Sequence, residues 1–308
     1  MIVVVCPGQG SQTPGFLAPW LEMDSFAASI ASQQAASGID LTGFGTTADA
    51  DTIRDTAVAQ PLIVAAGVAT IAELLGGKSL AEAGIAGVAG HSVGEITAAV
   101  AAGVFTVEDG IKFVRERGNA MAKAAALETT SMAAVLGGDQ AVVEARLAEL
   151  GLEPANYNGG GQIVAAGSAE GIAALQAEPA AGTRVIPLQV AGAFHTRYMA
   201  PAVEALAAYS ASVSVADPVV RLWSNNGGRL IGSGSEFVSL LVTQVKSPVR
   251  WDLTMASLVE AGVTAMIEVA PAGTLVGLAK RSMPGVETLA IKTPDQLEAA
   301  RTLIANHA

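Results

Sequence analysis

The six residues Gly90-His91-Ser92-Val93-Gly94-Glu95 constrain this chain more than any others. They follow a short apolar run, Ile85-Ala86-Gly87-Val88-Ala89, and precede an alanine-rich stretch, Ile96 to Ala102, that reads as helix. A serine in the spacing GxSxG between a strand and a helix is the pattern of a nucleophile elbow. The glycines permit the tight backbone that leaves the hydroxyl exposed at the carboxyl end of the strand. Strand, turn and helix in immediate succession imply an α/β arrangement. The chain has 34 glycines among 308 residues, so a bare GxSxG also arises by chance and needs partners before it carries chemistry.

Composition narrows the classes of protein that remain. Hydrophobic residues make up 51% of the chain in short blocks, as expected for a globular protein with a large core. The longest apolar stretch, 61–75, is interrupted by Gly67, Thr70 and Glu73 and reads as too short and too polar to cross a bilayer. No membrane association is expected. The chain opens on Ile2-Val3-Val4-Val5 without a basic segment, which reads as a first buried strand and a cytoplasmic location. A single cysteine, Cys6, excludes an internal disulfide, and three histidines (His91, His195, His307) form no metal-ligand cluster, so no metal is expected. A net charge of −11 argues against nucleic acid as a partner while leaving room for a local basic patch.

Along the chain, apolar strands at 2–6 and 85–90 alternate with helical segments at 58–75, 94–103 and 107–125, the mark of a mostly parallel sheet. Residues 131–190 read differently. Strands at 132–136, 154–157, 162–166 and 184–188 and helices at 140–150 and 169–177 give the order βαββαβ, a ferredoxin-like unit. Asn158-Gly159-Gly160-Gly161 supplies the turn between its middle strands. Strands near 219–223, 265–269 and 287–291 then restore the alternation. The fold expected is an α/β-hydrolase-like lobe with a parallel sheet, formed by 1–127 and 191–308, into which a small ferredoxin-like lobe, 128–190, is inserted. A site is expected in the cleft between them.

A serine hydroxyl needs a base, and histidine suits that task near neutral pH. His307 is the penultimate residue, and His91 should point to the opposite side of the elbow from Ser92. His195, where the chain leaves the small lobe, is the candidate base; a satisfied loop histidine is the alternative. The oxyanion formed on an attacked carbonyl needs donors, one of them the amide of Val93. The second is sought in Cys6-Pro7-Gly8-Gln9-Gly10-Ser11-Gln12 after the first strand, a segment that as a simple turn or phosphate loop would read differently but lacks the P-loop lysine.

The segment 107–125 holds an anomaly. At 100° per residue, Lys112, Arg115, Glu116, Asn119 and Lys123 share one face, and Ile111, Phe113, Val114 and Met121 the other. Arg117 falls in the apolar sector. An internal salt bridge or a snorkelling side chain would accommodate it. So would a substrate carboxylate held by parallel N–H donors, which points to a dicarboxylic acyl group.

These motifs resemble the malonyl-CoA:acyl carrier protein transacylases and the related acyltransferase domains of fatty acid and polyketide synthases. The resemblance covers essentially the whole chain. It rests on Pro7 to Gln12, Gly90 to Glu95, Arg117 with Met121, Asn156-Tyr157-Asn158 before Gly161-Gln162, Gly192-Ala193-Phe194-His195, and Gln244 through Pro248 with Trp251. It implies that Ser92 is the acylated nucleophile, His195 its base, and the amides of Val93 and Gln9 the oxyanion hole. Arg117 would hold the malonate carboxylate, and the main-chain carbonyl of Gln244 would orient His195 in place of an acidic triad member. Met121, Phe194, His91 and Asn156 stand beside Arg117 as substrate-binding residues. Cys6 and Asn156 each also read as packing residues. Ala193-Phe194-His195 looks like the malonyl-selective form of its loop, although Gly192 stands where synthase domains carry a histidine.

The implied reaction is ping-pong transfer of malonyl from malonyl-CoA to the phosphopantetheine thiol of acyl carrier protein by a monomer without a bound cofactor. Carrier proteins of this family are acidic, so a basic docking surface is implied, with Lys112, Arg115, Lys123, Arg184, Arg197, Lys280 and Arg281 as candidates. A serine hydrolase would share elbow, base and oxyanion hole but has no use for Arg117. A non-catalytic carrier-binding scaffold would not need the catalytic side chains.

Overall fold

The computed structural model describes residues 1–307. The first part of the chain forms β1 (Ile2–Cys6), α1 (Asp24–Ser37), α2 (Leu41–Thr46), α3 (Thr56–Leu75), β2 (Ile85–Gly90), α4 (Gly94–Ala101) and α5 (Val107–Ala125). A second group follows: β3 (Thr130–Gly137), α6 (Gln140–Glu149), β4 (Glu153–Gly159), β5 (Gln162–Ser168), α7 (Ala169–Ala177) and β6 (Thr183–Leu188). The chain ends with α8 (Ala200–Ser210), β7 (Arg221–Leu222), α9 (Gly234–Gln244), β8 (Val249–Arg250), α10 (Trp251–Glu260), β9 (Ala265–Glu268), α11 (Thr274–Ser282), β10 (Glu287–Ala290) and α12 (Leu297–His307).

Two five-stranded sheets organise these elements. The first runs β10-β9-β1-β2-β7, and every pairing in it is parallel. β1 lies at its centre and all five of its residues are buried, as the unbroken apolar run requires of a strand covered on both faces. Alternation divides that strand between two cores. Ile2, Val4 and Cys6 join the larger cluster with α1, α3, α4 and α5, while Val3 and Val5 join Trp251, Met255 and Leu278 from α10 and α11.

The second sheet runs β6-β3-β5-β4-β8. Its first four strands are antiparallel and carry α6 and α7 over a small separate core that includes Val135, Leu147, Ile163 and Leu175. This is the ferredoxin-like order. The fifth strand, β8, pairs parallel to β4 through Asn156 and Val249, so the sheet draws in chain from outside 128–190. That two-residue strand carries no readable periodicity, and nothing in the sequence marks it.

Other elements depart from the sequence expectation for identifiable reasons. α1 carries no readable apolar period, because its buried stripe, Phe26, Ile30, Gln33 and Ser37, is half polar. Gln33 donates to the Ala65 carbonyl at 3.3 Å and Ser37 to the Gln33 carbonyl at 2.8 Å, so both donors are satisfied in a stripe that is not apolar, while Gln33 Oε1 has no partner among the described residues. The strand expected at 219–223 contracts to Arg221–Leu222. α3 begins at Thr56, where the Asp55 side chain accepts from the Ala57 amide, and its 20 residues are long and apolar enough to cross a membrane. The expectation of a stretch too short and too polar is therefore corrected. Most of its apolar surface is buried inside the protein, where it serves as a core helix.

Candidate active site

The elbow is built by close backbone approach. β1 and β2 are neighbours, and the His91 amide donates to the Cys6 carbonyl at 2.9 Å, which draws the turn after β2 against the end of β1. A Cβ on Gly94 would collide with the Cys6 carbonyl, and one on Gly90 with the Gly94 backbone. Both glycines are required by space. Ser92 takes a φ of 53°, a left-handed conformation that an L-residue holds only when its surroundings impose it. Asn225 supplies that restraint: its Oδ1 accepts from the Ser92 amide at 2.8 Å and its Nδ2 donates to the Gly90 carbonyl at 2.7 Å.

His195 reaches the serine from the segment after β6. The Ala193 amide donates to Thr130 Oγ1 at 2.9 Å and the His195 amide to the Val245 carbonyl at 3.0 Å, which pin the segment to the start of β3 and the end of α9. Its own φ is 62°. Nε2 lies 2.7 Å from Ser92 Oγ, and Nδ1 lies 2.9 Å from the main-chain oxygen of Gln244. A carbonyl only accepts, so Nδ1 carries the proton and Nε2 presents a lone pair to the serine. Burial and the Arg117 charge push the histidine down to about 3, against the pull of the Gln244 carbonyl, and so keep it neutral.

Arg117 is fully buried, projecting from α5 toward the elbow. Nη1 donates to Gln60 Oε1 at 2.7 Å, and Nη2 to Gln244 Oε1 at 2.9 Å and toward Ser92 Oγ at 3.4 Å. Nε has no partner. The internal salt bridge that the sequence allows is absent among the described residues: its three side-chain acceptors, two amides and the Ser92 hydroxyl, are neutral. The nearest carboxyl is Glu95, one residue further in, where Gln244 Nε2 donates to Oε2 and the Asn225 amide donates to Oε1 at 2.6 Å. Burial pushes Glu95 up to about 8, opposed by hydrogen bonds from Asn225 and Ser224 and by the Arg117 charge.

A cavity of about 270 Å³ opens over this group in the cleft between the two sheets. Gln9, Val93, Ser92, His195, Met121, Phe194 and Asn156 line it, with Arg117 behind Ser92 and Gln60. The Gln9 and Val93 amides follow β1 and β2 on one rim, and neither donates to a protein acceptor among the described residues. The Gln9 side chain anchors its loop to the Arg54 carbonyl at 3.2 Å. His91 does not turn away from Ser92 as expected. It lines the same cavity, its Nε2 is 3.0 Å from Asn158 Oδ1, and its ring lies edge-on to Trp251. Met121 is held by Gln60, whose Nε2 lies 3.4 Å from the sulfur.

Sequence reasoning passed over Gln60, Glu95, Asn225 and the Gln244 side chain. Gln60 and Glu95 were legible by the test that found Arg117, since each is a polar residue on a buried helix face. Asn225 lies in a loop and had no such signal. Of the basic residues considered for docking, Lys112, Arg115 and Arg197 are paired with Glu108, Glu116 and Glu153. Arg281 instead donates to Gln162, a cavity residue, at 3.2 Å. Lys123, Arg184 and Lys280 are exposed. Among the described residues no cluster suits a metal ion.

A parallel sheet with its serine at the rim, capped by a ferredoxin-like sheet that closes the cleft, is the arrangement of an acyl transferase domain, and residues 3–293 match that family. A relative named malonyl CoA-acyl carrier protein transacylase, from Mycobacterium bovis, is 48% identical over 303 residues, which are 97% of this chain and 98% of the relative. Among solved structures, MCAT from Mycobacterium tuberculosis matches with a TM-score of 0.92 at 48% identity, covering 98% of this chain and 99% of that one. A type II PKS acyl-carrier protein in complex with its malonyl-transacylase matches with a TM-score of 0.89 at 29% identity, covering 98% and 99%. The chain belongs to the malonyl-CoA:acyl carrier protein transacylase family.

Proposed function

We propose that this enzyme transfers malonyl from malonyl-CoA to the phosphopantetheine thiol of acyl carrier protein through a malonyl ester on Ser92, supplying extender units for fatty acid or polyketide synthesis. The observation that carries the acyl group's identity is Arg117, a buried guanidinium 3.4 Å from Ser92 Oγ with neutral side-chain partners and an unpartnered Nε–H. A buried cation without a carboxylate is costly unless the substrate brings one.

In the first half-reaction Ser92 Oγ attacks the thioester carbon as its proton passes to His195 Nε2. The oxyanion is held by the amides of Val93 and Gln9, and the Gln244 carbonyl steadies the imidazolium through Nδ1–H. Collapse breaks the carbon–sulfur bond, and the proton on Nε2 leaves with the CoA thiol. The carrier thiol then gives its proton to His195 and attacks the ester, and Ser92 recovers the proton as the malonyl thioester departs. Met121, Phe194, His91 and Asn156 shape the acyl pocket, with the Phe194 ring crowding the position of a methyl branch. Every group these steps use comes from one chain, which supports action as a monomer without a bound cofactor; a cytoplasmic setting is part of the same reading.

Intact mass spectrometry tests it. Malonyl-CoA alone is expected to leave the protein heavier by one malonyl group, carrier protein to remove the adduct, and Ser92→Ala to abolish it. CoA release with neither adduct nor transfer would show a hydrolase instead.

A further inference from the structure

Gln244 touches both halves of the site. Its main-chain oxygen accepts from His195, its side-chain oxygen accepts from Arg117, and its side-chain nitrogen donates to Glu95. An amide side chain is electrically two-ended, and turned over it would face Arg117 with N–H groups. A guanidinium only donates. Nothing in Gln244 itself selects one orientation, so its surroundings must.

We infer that Glu95 is a positioning residue that fixes the carboxylate selectivity of the site by setting which way the Gln244 amide faces. Both carboxyl oxygens of Glu95 are occupied by donors, the Asn225 amide on Oε1 and the Gln244 amide on Oε2. Glu95 Oε2 accepts from the Gln244 nitrogen, which draws that nitrogen inward and leaves the Gln244 oxygen for Arg117 Nη2. With Gln60 on Nη1, the guanidinium is then held in one plane beside Ser92. Glu95 makes no direct pair with Arg117, whose side-chain partners are the neutral groups of Gln60, Gln244 and Ser92, so the cation is positioned without being neutralised. Glu95 is 1% exposed and is separated from the reacting atoms by Gln244 and Asn225, which makes its effect indirect.

The inference rests on Arg117 holding the substrate carboxylate, and the test separates the two. Replacement of Glu95 by its isostere, Glu95→Gln, lets Oε1 keep the Asn225 amide while an NH2 now faces the Gln244 NH2. Gln244 must turn over, which sets N–H groups against Arg117 Nη2, or lose its bond to residue 95 and be held only by the longer contact of Nε2 with Asn225 Oδ1 at 3.4 Å; in both cases the acceptor on Nη2 is lost or loosened while Gln60 stays on Nη1. Acylation kinetics are measured with malonyl-CoA and acetyl-CoA for the native enzyme, Glu95→Gln, Gln244→Met, the double variant and Arg117→Ala. Glu95→Gln is expected to raise KM for malonyl-CoA on the order of ten-fold, the scale of one charge-assisted hydrogen bond, with little change in kcat or in acetyl-CoA turnover. The double variant should be no worse than Gln244→Met, because both substitutions break one link. Equal losses with both acyl groups, an unchanged malonyl/acetyl ratio, or multiplied effects in the double variant would each overturn it. If Glu95→Gln fails to fold, Gln244→Met decides alone, and an unchanged ratio there is equally fatal. An unchanged ratio in Arg117→Ala would remove the carboxylate reading itself.

Discussion

At the scale of single residues, His195 and Arg117 oppose each other. Burial and the guanidinium together lower the imidazole from its ordinary 6.5 to about 3, and Nδ1–H on the Gln244 carbonyl offsets only part of that. On the proposed reading, a substrate carboxylate on Arg117 would offset the second cause and strengthen the base when the correct acyl group is bound. The kcat/KM for acylation reports the free enzyme. Its profile with malonyl-CoA should therefore run flat through pH 6.5 and fall only well below pH 5, by stopped-flow CoA release. An acid limb near pH 6.5 would show that His195 titrates as an ordinary imidazole.

Elements place these residues by close approach. β2 enters the elbow and α4 leaves it, and the two fit because Gly90 and Gly94 present no side chain to each other or to the Cys6 carbonyl. Gly94→Ala should cost about 1–3 kcal/mol, as for other overpacked sites, because the obstructing atoms are backbone and have no rotamer to yield. Urea unfolding with a midpoint lowered accordingly, together with slowed acylation of Ser92, is the expected result; native stability would place the elbow further from β1 than the structure does. Element identity was largely readable. The apolar run of β1, the Arg117 anomaly on α5 and the βαββαβ order all follow from periodicity. α1 escaped because Gln33 and Ser37 fill its buried stripe, and β8 because two residues have no period.

For the whole molecule, buried ionisable groups make stability depend on pH from both sides. Glu95 is raised from 4.5 to about 8, so between those values the unfolded chain has released a proton the native one keeps, and stability falls as pH rises. Glu268, raised by burial despite the amides of Leu275 and Val276, acts in the same direction. His195 is lowered from 6.5 to about 3, so the unfolded chain takes up a proton the native one refuses, and stability falls as pH drops through that window. Net charge reinforces the loss at high pH by self-repulsion, since the chain already carries −11 at neutrality. Urea titrations across pH should find the maximum at about pH 5–6.5. Stability still climbing from pH 6 to 8.5 would contradict the burial of Glu95.

The sequence by itself determined the α/β alternation, the inserted ferredoxin-like unit, the elbow serine and the one cation out of place on an apolar face. Each is a local pattern, set by backbone period or by the cost of burying a charge. Only the tertiary structure decided that Arg117 meets amides and not a carboxylate, that His91 shares the cavity with Ser92, and that Gln60, Glu95 and Asn225 complete the site. Those facts depend on which side chains from distant segments meet across a few ångströms, and hydrogen-bond pairing of that kind leaves no period in the chain.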